Sequence, residues 1–136
     1  MRKSNAILSK PGTGFTLTEL LIVVIIVGIV ATLALPMLVK TMEKAKLGEA
    51  ASNLNLIRTG EKIYFLEWGK FISNVSDLNI EDPNSQANRY FDYTINPADA
   101  SNFTAKAARR EGKYSGKAVY IDKSGTITAD SGYFTP

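Results

Sequence analysis

The chain has 136 residues, enough for one domain of ordinary size, and its formal charge of +3 is unevenly placed. Arg2, Lys3 and Lys10 precede Phe15 while every acidic residue follows it, so the thirteen basic side chains that remain are balanced by thirteen acidic ones, and no clustered basic face for nucleic acid is expected. With no Cys and no His, the chain has no disulfide, no thiolate or imidazole metal site and no Cys- or His-based catalytic centre.

Residues 1–14, MRKSNAILSKPGTG, are short, basic and broken by Pro11, Gly12 and Gly14, which reads as a flexible leader. Lys and Arg beside an apolar segment hold their side of it in the cytoplasm, placing the C-terminal part across the membrane. From Leu20 to Val39 the residues are nearly all apolar, interrupted by Gly28, Thr32 and Pro36. Twenty helical residues span about 30 Å, the hydrocarbon thickness of a bilayer. Pro36 offers no N–H to the Thr32 carbonyl, and Gly28 costs about 1 kcal/mol relative to Ala, so a kink or loosened turn is expected between them. Glu19 stands at the mouth of this segment. An ionised carboxylate there is costly and calls for a partner, although a helix N-terminus favours it.

Past Val39 the pattern becomes amphipathic. Leu47, Ala50, Leu54, Ile57, Glu61, Tyr64 and Trp68 step by three and four, and Lys44, Lys46, Glu49, Asn53, Arg58 and Lys62 fall largely on other faces. This predicts a helix with one buried stripe ending at Gly69, continuous with the apolar segment from Phe15 to Trp68 and about 80 Å long. Glu61 is expected at the rim of the stripe or paired with a basic residue of the domain that follows.

Residues 70–136 carry strand and turn signals. Tyr90–Ile95 is aromatic and β-branched and stops at Asn96-Pro97; Phe103, Ala105 and Ala107 alternate with polar neighbours before Arg109-Arg110-Glu111-Gly112 turns the chain. Ala118–Ile121 and Thr126–Ala129 flank Asp122-Lys123-Ser124-Gly125, a hairpin connection with Gly available for positive φ. Three or four antiparallel strands are expected, with a loop-rich link over 73–88. So small a sheet is marginal alone and should pack on the helix stripe, giving an α+β fold. It follows that a fragment starting near Glu43 should fold and one starting at Lys70 should not.

The N-terminal stretch is open to three readings: a secretory signal peptide cut near Thr32-Leu33-Ala34, a plain single-span anchor, and a third that rests on a family. Glu19 and the length of the apolar run count against the signal peptide, and a plain anchor leaves the carboxylate unexplained. Gly14-Phe15-Thr16-Leu17-Thr18-Glu19-Leu20-Leu21, with the basic leader before it and the apolar run after, closely resembles the N-terminus of type IV prepilins and type II secretion pseudopilins. The resemblance covers roughly residues 1–45.

The resemblance implies a precursor cut between Gly14 and Phe15 by a membrane prepilin peptidase, which also N-methylates Phe15. It implies that Glu19 pairs with the N-terminal amine of a neighbouring copy, and that Gly28 and Pro36 bound a loosened stretch in the assembled filament. Residues 15–39 would be the membrane and filament-core helix, 40–69 its amphipathic continuation and 70–136 the head. Partners would be further copies of the chain, the peptidase, and the inner-membrane assembly platform with its ATPase. The precursor would sit in the bacterial inner membrane, and the mature chain in an extracellular pilus or a periplasmic pseudopilus. A pilus subunit is the preferred reading; the alternatives are a major pseudopilin and a single-span anchored binding domain.

No cofactor is expected. Asp122 and Asp130, with nearby hydroxyls, are the only candidates for a calcium site, against the plainer reading of hairpin residues facing water. Asn74-Val75-Ser76 and Asn102-Phe103-Thr104 match the glycosylation sequon by chance frequency. Asp92 with Glu111 is the one imaginable catalytic pair, but no nucleophile or phosphate loop accompanies it, so no enzyme activity is expected.

Overall fold

The computed structural model describes residues 12–136. Most of the basic leader, including Arg2, Lys3 and Lys10, lies outside the described residues.

One helix, α1, runs from Leu17 to Trp68, and four strands follow: β1 (Phe91–Ala98), β2 (Phe103–Arg109), β3 (Ala118–Asp122) and β4 (Ile127–Ala129). α1 starts on a capping box: the Thr16 hydroxyl accepts from the Glu19 amide (3.1 Å) while the Glu19 carboxylate accepts from the Thr16 amide (2.8 Å). It ends at Gly69, whose φ of +69° lets its amide turn back to the Phe65 carbonyl at 2.8 Å. α1 runs as one unbroken helix through Gly28 and Pro36.

By contacts the chain divides between Leu38 and Val39. In the first unit every helical side chain is exposed and none packs on a core. In the second, Leu47, Ala50, Leu54 and Ile57 are fully buried and form one cluster with Phe91, Tyr93, Ile95, Phe103, Ala105, Ala107, Val119 and Ile121. Each large apolar side chain buried there contributes about 1.5–3 kcal/mol. The stripe fades at its far end, where Trp68 is 66% exposed.

The sheet is an antiparallel meander in the order β1-β2-β3-β4. Its register sets Tyr93 opposite Ala107 and Ala107 opposite Val119, so one face of each strand reaches the core together. β2 alternates strictly between buried and half-buried positions from Phe103 to Arg109. Two elements extend beyond their predicted ends. β1 continues past Asn96 after a register shift and pairs Ala98 with Phe103, and β2 takes in Arg109, which the sequence assigned to a turn. The link before β1 contains two 3-10 turns, Val75–Asp77 and Pro83–Ser85. Asn84 clips the second to β1, accepting from the Tyr93 amide (2.8 Å) and donating to the Tyr93 carbonyl (2.9 Å). At Gly60 the link lies so close to α1 that an added Cβ would sit 2.9 Å from Ile80 Cγ2.

Candidate functional site

The residues singled out at the N-terminus lie on one exposed segment. Phe15 is 87% exposed, and the side chains of Leu17–Leu38 are open to the surroundings along the whole helical run. An 18-residue window of this helix has a mean hydropathy of 3.0 with none of it buried, so length and composition suffice to cross a membrane. So much apolar surface is stable only in lipid or against other protein.

Within that run Glu19 is the single acidic residue, and its geometry is specific. Among the described residues, the two hydrogen bonds that it accepts, from the Thr16 amide at 2.8 Å and the Thr16 hydroxyl at 3.1 Å, both end on Oε2. The capping box therefore fixes the carboxylate at the first turn and leaves Oε1 as the oxygen available to an incoming cation. Gly28 has open space around its Cα, and a Cβ there would meet nothing within 4 Å. Thr32 returns its hydroxyl to the Ile29 carbonyl at 2.7 Å, which satisfies that polar group inside the apolar stretch.

The second unit contains a further polar constellation that local sequence patterns did not single out. Glu43 and Arg109 are nearly buried, and Arg109 Nε donates to Glu43 Oε1 at 2.8 Å. The Tyr133 hydroxyl donates to the same oxygen at 2.8 Å. Burial alone would raise the Glu43 carboxyl, but the Arg109 guanidinium and the Tyr133 hydroxyl hold it below the usual carboxylate range. Arg109 is completed by the Tyr90 carbonyl at 3.0 Å. This cluster ties α1, β2 and the segment after β4 together. The signal that could have found it is the period-2 alternation of β2, which places residue 109 on the same face as Phe103, Ala105 and Ala107.

Glu61 corrects its expectation. It is fully buried, not at a rim, and its partner is the Ile72 amide at 3.1 Å rather than a basic side chain. Its second oxygen, Oε1, has no hydrogen-bond partner among the described residues, and burial pushes its carboxyl up. The stripe places it there: position 61 falls in step with Ile57 and Tyr64.

The two calcium candidates are engaged within their own hairpins. Asp122 Oδ1 accepts from the Gly125 and Thr126 amides at 3.0 Å each, and its carboxyl is held low by the Ser124 hydroxyl ahead of those amides. Asp130 accepts from the Ala118 amide at 2.8 Å and the Tyr120 hydroxyl at 3.0 Å. No group of three or more acidic residues arranged to hold a metal ion is found among the described residues. Asp92 does not meet Glu111; it pairs with Arg89 at 2.8 Å and Arg110 at 3.5 Å. Of the sequon residues, Asn74 caps the first 3-10 turn and Asn102 donates its amide to Asp99 at 2.8 Å.

No protein-family model matches the chain. It is 36% identical over 77 residues, 57% of its length, to the type IV major pilin protein PilA of Myxococcus xanthus (strain DK1622), and spans about a third (34%) of that relative's length. Its fold is similar to that of the non-core minor pilin PilV of Neisseria meningitidis, with a TM-score of 0.53 and 23% identity, over 71% of this chain and 95% of that one. The long N-terminal helix with its four-stranded antiparallel sheet is thus a pilin-like α+β fold.

Proposed function

We infer that this chain, pilin-like in fold and similar in sequence to a type IV major pilin, is a structural subunit that polymerises into a pilus-like helical filament. The observation that carries the reading is the apolar half of α1, which is exposed among the described residues and holds one carboxylate at its first turn. Residues 1–14 act as a leader, cut between Gly14 and Phe15 by a prepilin peptidase that then methylates Phe15. Cleavage removes Arg2, Lys3 and Lys10 and leaves an ammonium four residues before Glu19.

An ammonium from the next copy satisfies the Glu19 carboxylate, so a subunit out of register leaves both charges unmatched in an apolar setting. Residues 15–39 then exchange lipid for one another in the filament core, and residues 70–136 form the outer surface. Gly28 and Pro36 mark the stretch where the helix can yield as copies pack. The precursor waits in the inner membrane with its head outside, served by the assembly platform and its ATPase. A major pseudopilin of a type II secretion system is the second reading, favoured by the lack of Cys in the head.

Intact-mass and N-terminal analysis of protein sheared from cells tests the proposal. A chain beginning at methylated Phe15 in the sheared fraction is the expected result, and the same chain confined to the envelope would favour the pseudopilus. A chain retaining Arg2 would overturn the account of Glu19. In the same cells, Glu19→Leu should leave membrane insertion intact and abolish filaments; filaments at normal yield would refute the pairing.

A further inference from the structure

Just past the apolar run, α1 carries Lys40, Lys44 and Lys46 with Glu43 as the acidic residue among them. Lys40 and Lys44 are exposed, and so is Lys113 in the turn after β2. No ion pair is found for Lys40, Lys44 or Lys113 among the described residues, whereas Lys46 lies 3.8 Å from Glu43. Within the second unit, a groove of about 230 Å³ has Val39, Met42 and Tyr114 for its apolar wall and Lys46 and Lys113 for its cations. The Glu43–Arg109 pair also lines it, but Glu43 is already satisfied by Arg109 and Tyr133. Glu111, close to Lys113 in sequence, lines a separate cleft with Arg89 and Arg110.

We propose that this groove and the lysines around it hold the headgroup of an anionic phospholipid in the leaflet on the head's side of the bilayer. The proposal rests on the reading of the chain as a membrane-inserted precursor. Two properties identify the occupant. The ammonium groups of Lys40 and Lys44, with no ion pair among the described residues, and that of Lys113, 5.7 Å from the Tyr114 ring centroid, favour a phosphate, and the length of a Lys stem lets its charge reach headgroup depth. Val39 and Met42 remain about half exposed (46% and 53%) where the apolar run ends, which suits the glycerol and upper acyl chain of a lipid and gives nothing to a free phosphate. Tyr114, with an apolar ring and a polar tip, fits the same interfacial layer. The lysine collar thus keeps the subunit seated in anionic lipid until assembly withdraws it.

The test uses the full chain in nanodiscs of phosphatidylcholine with and without phosphatidylglycerol. The variant replaces Lys40, Lys44 and Lys113 by Gln and spares Lys46 with its Glu43 contact. Native mass spectrometry reads which lipid stays bound, and a headgroup spin label reads broadening of the Gly112 and Tyr114 amides. The expected result is a preference for phosphatidylglycerol that falls about fivefold per lysine, on the order of a hundredfold for all three. Wild-type chain without that preference, or a triple variant that keeps it, would overturn the proposal. Equal competition by inorganic phosphate would assign the groove to a free anion and remove the lipid. Amide broadening that appears only when two copies share a disc would hand the surface to a second copy instead. A chain that inserts and selects phosphatidylglycerol yet never forms filaments would keep the collar and remove the filament reading; failure to insert would remove both.

Discussion

The Glu43–Arg109 pair allows a quantitative test of what holds the head together. Arg109→Leu removes the guanidinium 2.8 Å from Glu43 Oε1 and leaves a nearly buried carboxylate with the Tyr133 hydroxyl and a distant Lys46. Removing one partner of a buried pair costs about 3–5 kcal/mol, because the other charge stays desolvated. For a unit of this size each kcal/mol shifts Tm by about 4–8 °C, so a fall of at least ~12 °C is expected. Glu43→Leu should cost a similar amount, since Arg109 then loses its carboxylate and keeps the Tyr90 carbonyl and the Tyr90 and Phe91 rings. The double variant Glu43→Leu/Arg109→Leu should recover most of that loss, with both charges gone and two apolar side chains in their place. Urea unfolding of a soluble Val39–Pro136 fragment, followed by circular dichroism, gives the three values. A single-variant cost below about 1 kcal/mol, or losses that simply add in the double variant, would refute the reasoning. The pH dependence provides a second reading. Glu43 lies below its ordinary value of 4.5 in the folded state, so its contribution is complete above that value and is lost as pH falls through the folded one. Stability of the wild type should therefore drop more steeply in acid than that of Glu43→Gln.

Three further outcomes are expected. Glu61 is raised in the folded state, so the wild type loses stability as pH climbs from 4.5 through the folded value; Glu61→Gln should flatten that loss and gain about 1 kcal/mol at neutral pH, read as Tm against pH. A flat wild-type profile would show that the carboxyl is not as isolated as its unpaired Oε1 implies. Gly60→Val should cost about 2 kcal/mol in urea unfolding through the clash with Ile80 and Leu78, and an unchanged midpoint would mean that the link yields. The Val39–Pro136 fragment should unfold cooperatively, a fragment starting at Lys44 should be weaker for lack of Glu43, and one starting at Lys70 should not fold; a cooperative transition in the last would break the dependence of sheet on helix.

Much of this arrangement is legible in the sequence, and for identifiable reasons. The 3.6-residue stripe of Leu47, Ala50, Leu54 and Ile57, the alternation in β2 and the Asp122–Gly125 turn are local patterns, and each recurs in the structure. What escapes is non-local. Glu43 and Arg109 stand 66 residues apart, and the charged run from Arg109 to Glu111 reads as a turn. The stripe carries Glu61 into the core, where its charge alone points to a rim. The exposure of Trp68 follows from the stripe outrunning the sheet that covers it. At the N-terminus the T-x-x-E spacing of Thr16 and Glu19 is a capping-box signature, and the structure closes it.

The bond between Tyr133 and Glu43 spans 90 residues, and this orders the steps by which the second unit closes. The strands pair with their sequence neighbours, so the meander can form as each hairpin emerges. The cluster around Glu43 has to wait, since its last member, Tyr133, follows all four strands in the chain. During that interval the Glu43 carboxylate has at most its guanidinium, and Leu47–Ile57 faces a sheet that is not yet fastened at its C-terminal side. Closure by the tyrosine hydroxyl therefore joins the two ends of the second unit, and no contact between neighbouring strands substitutes for it.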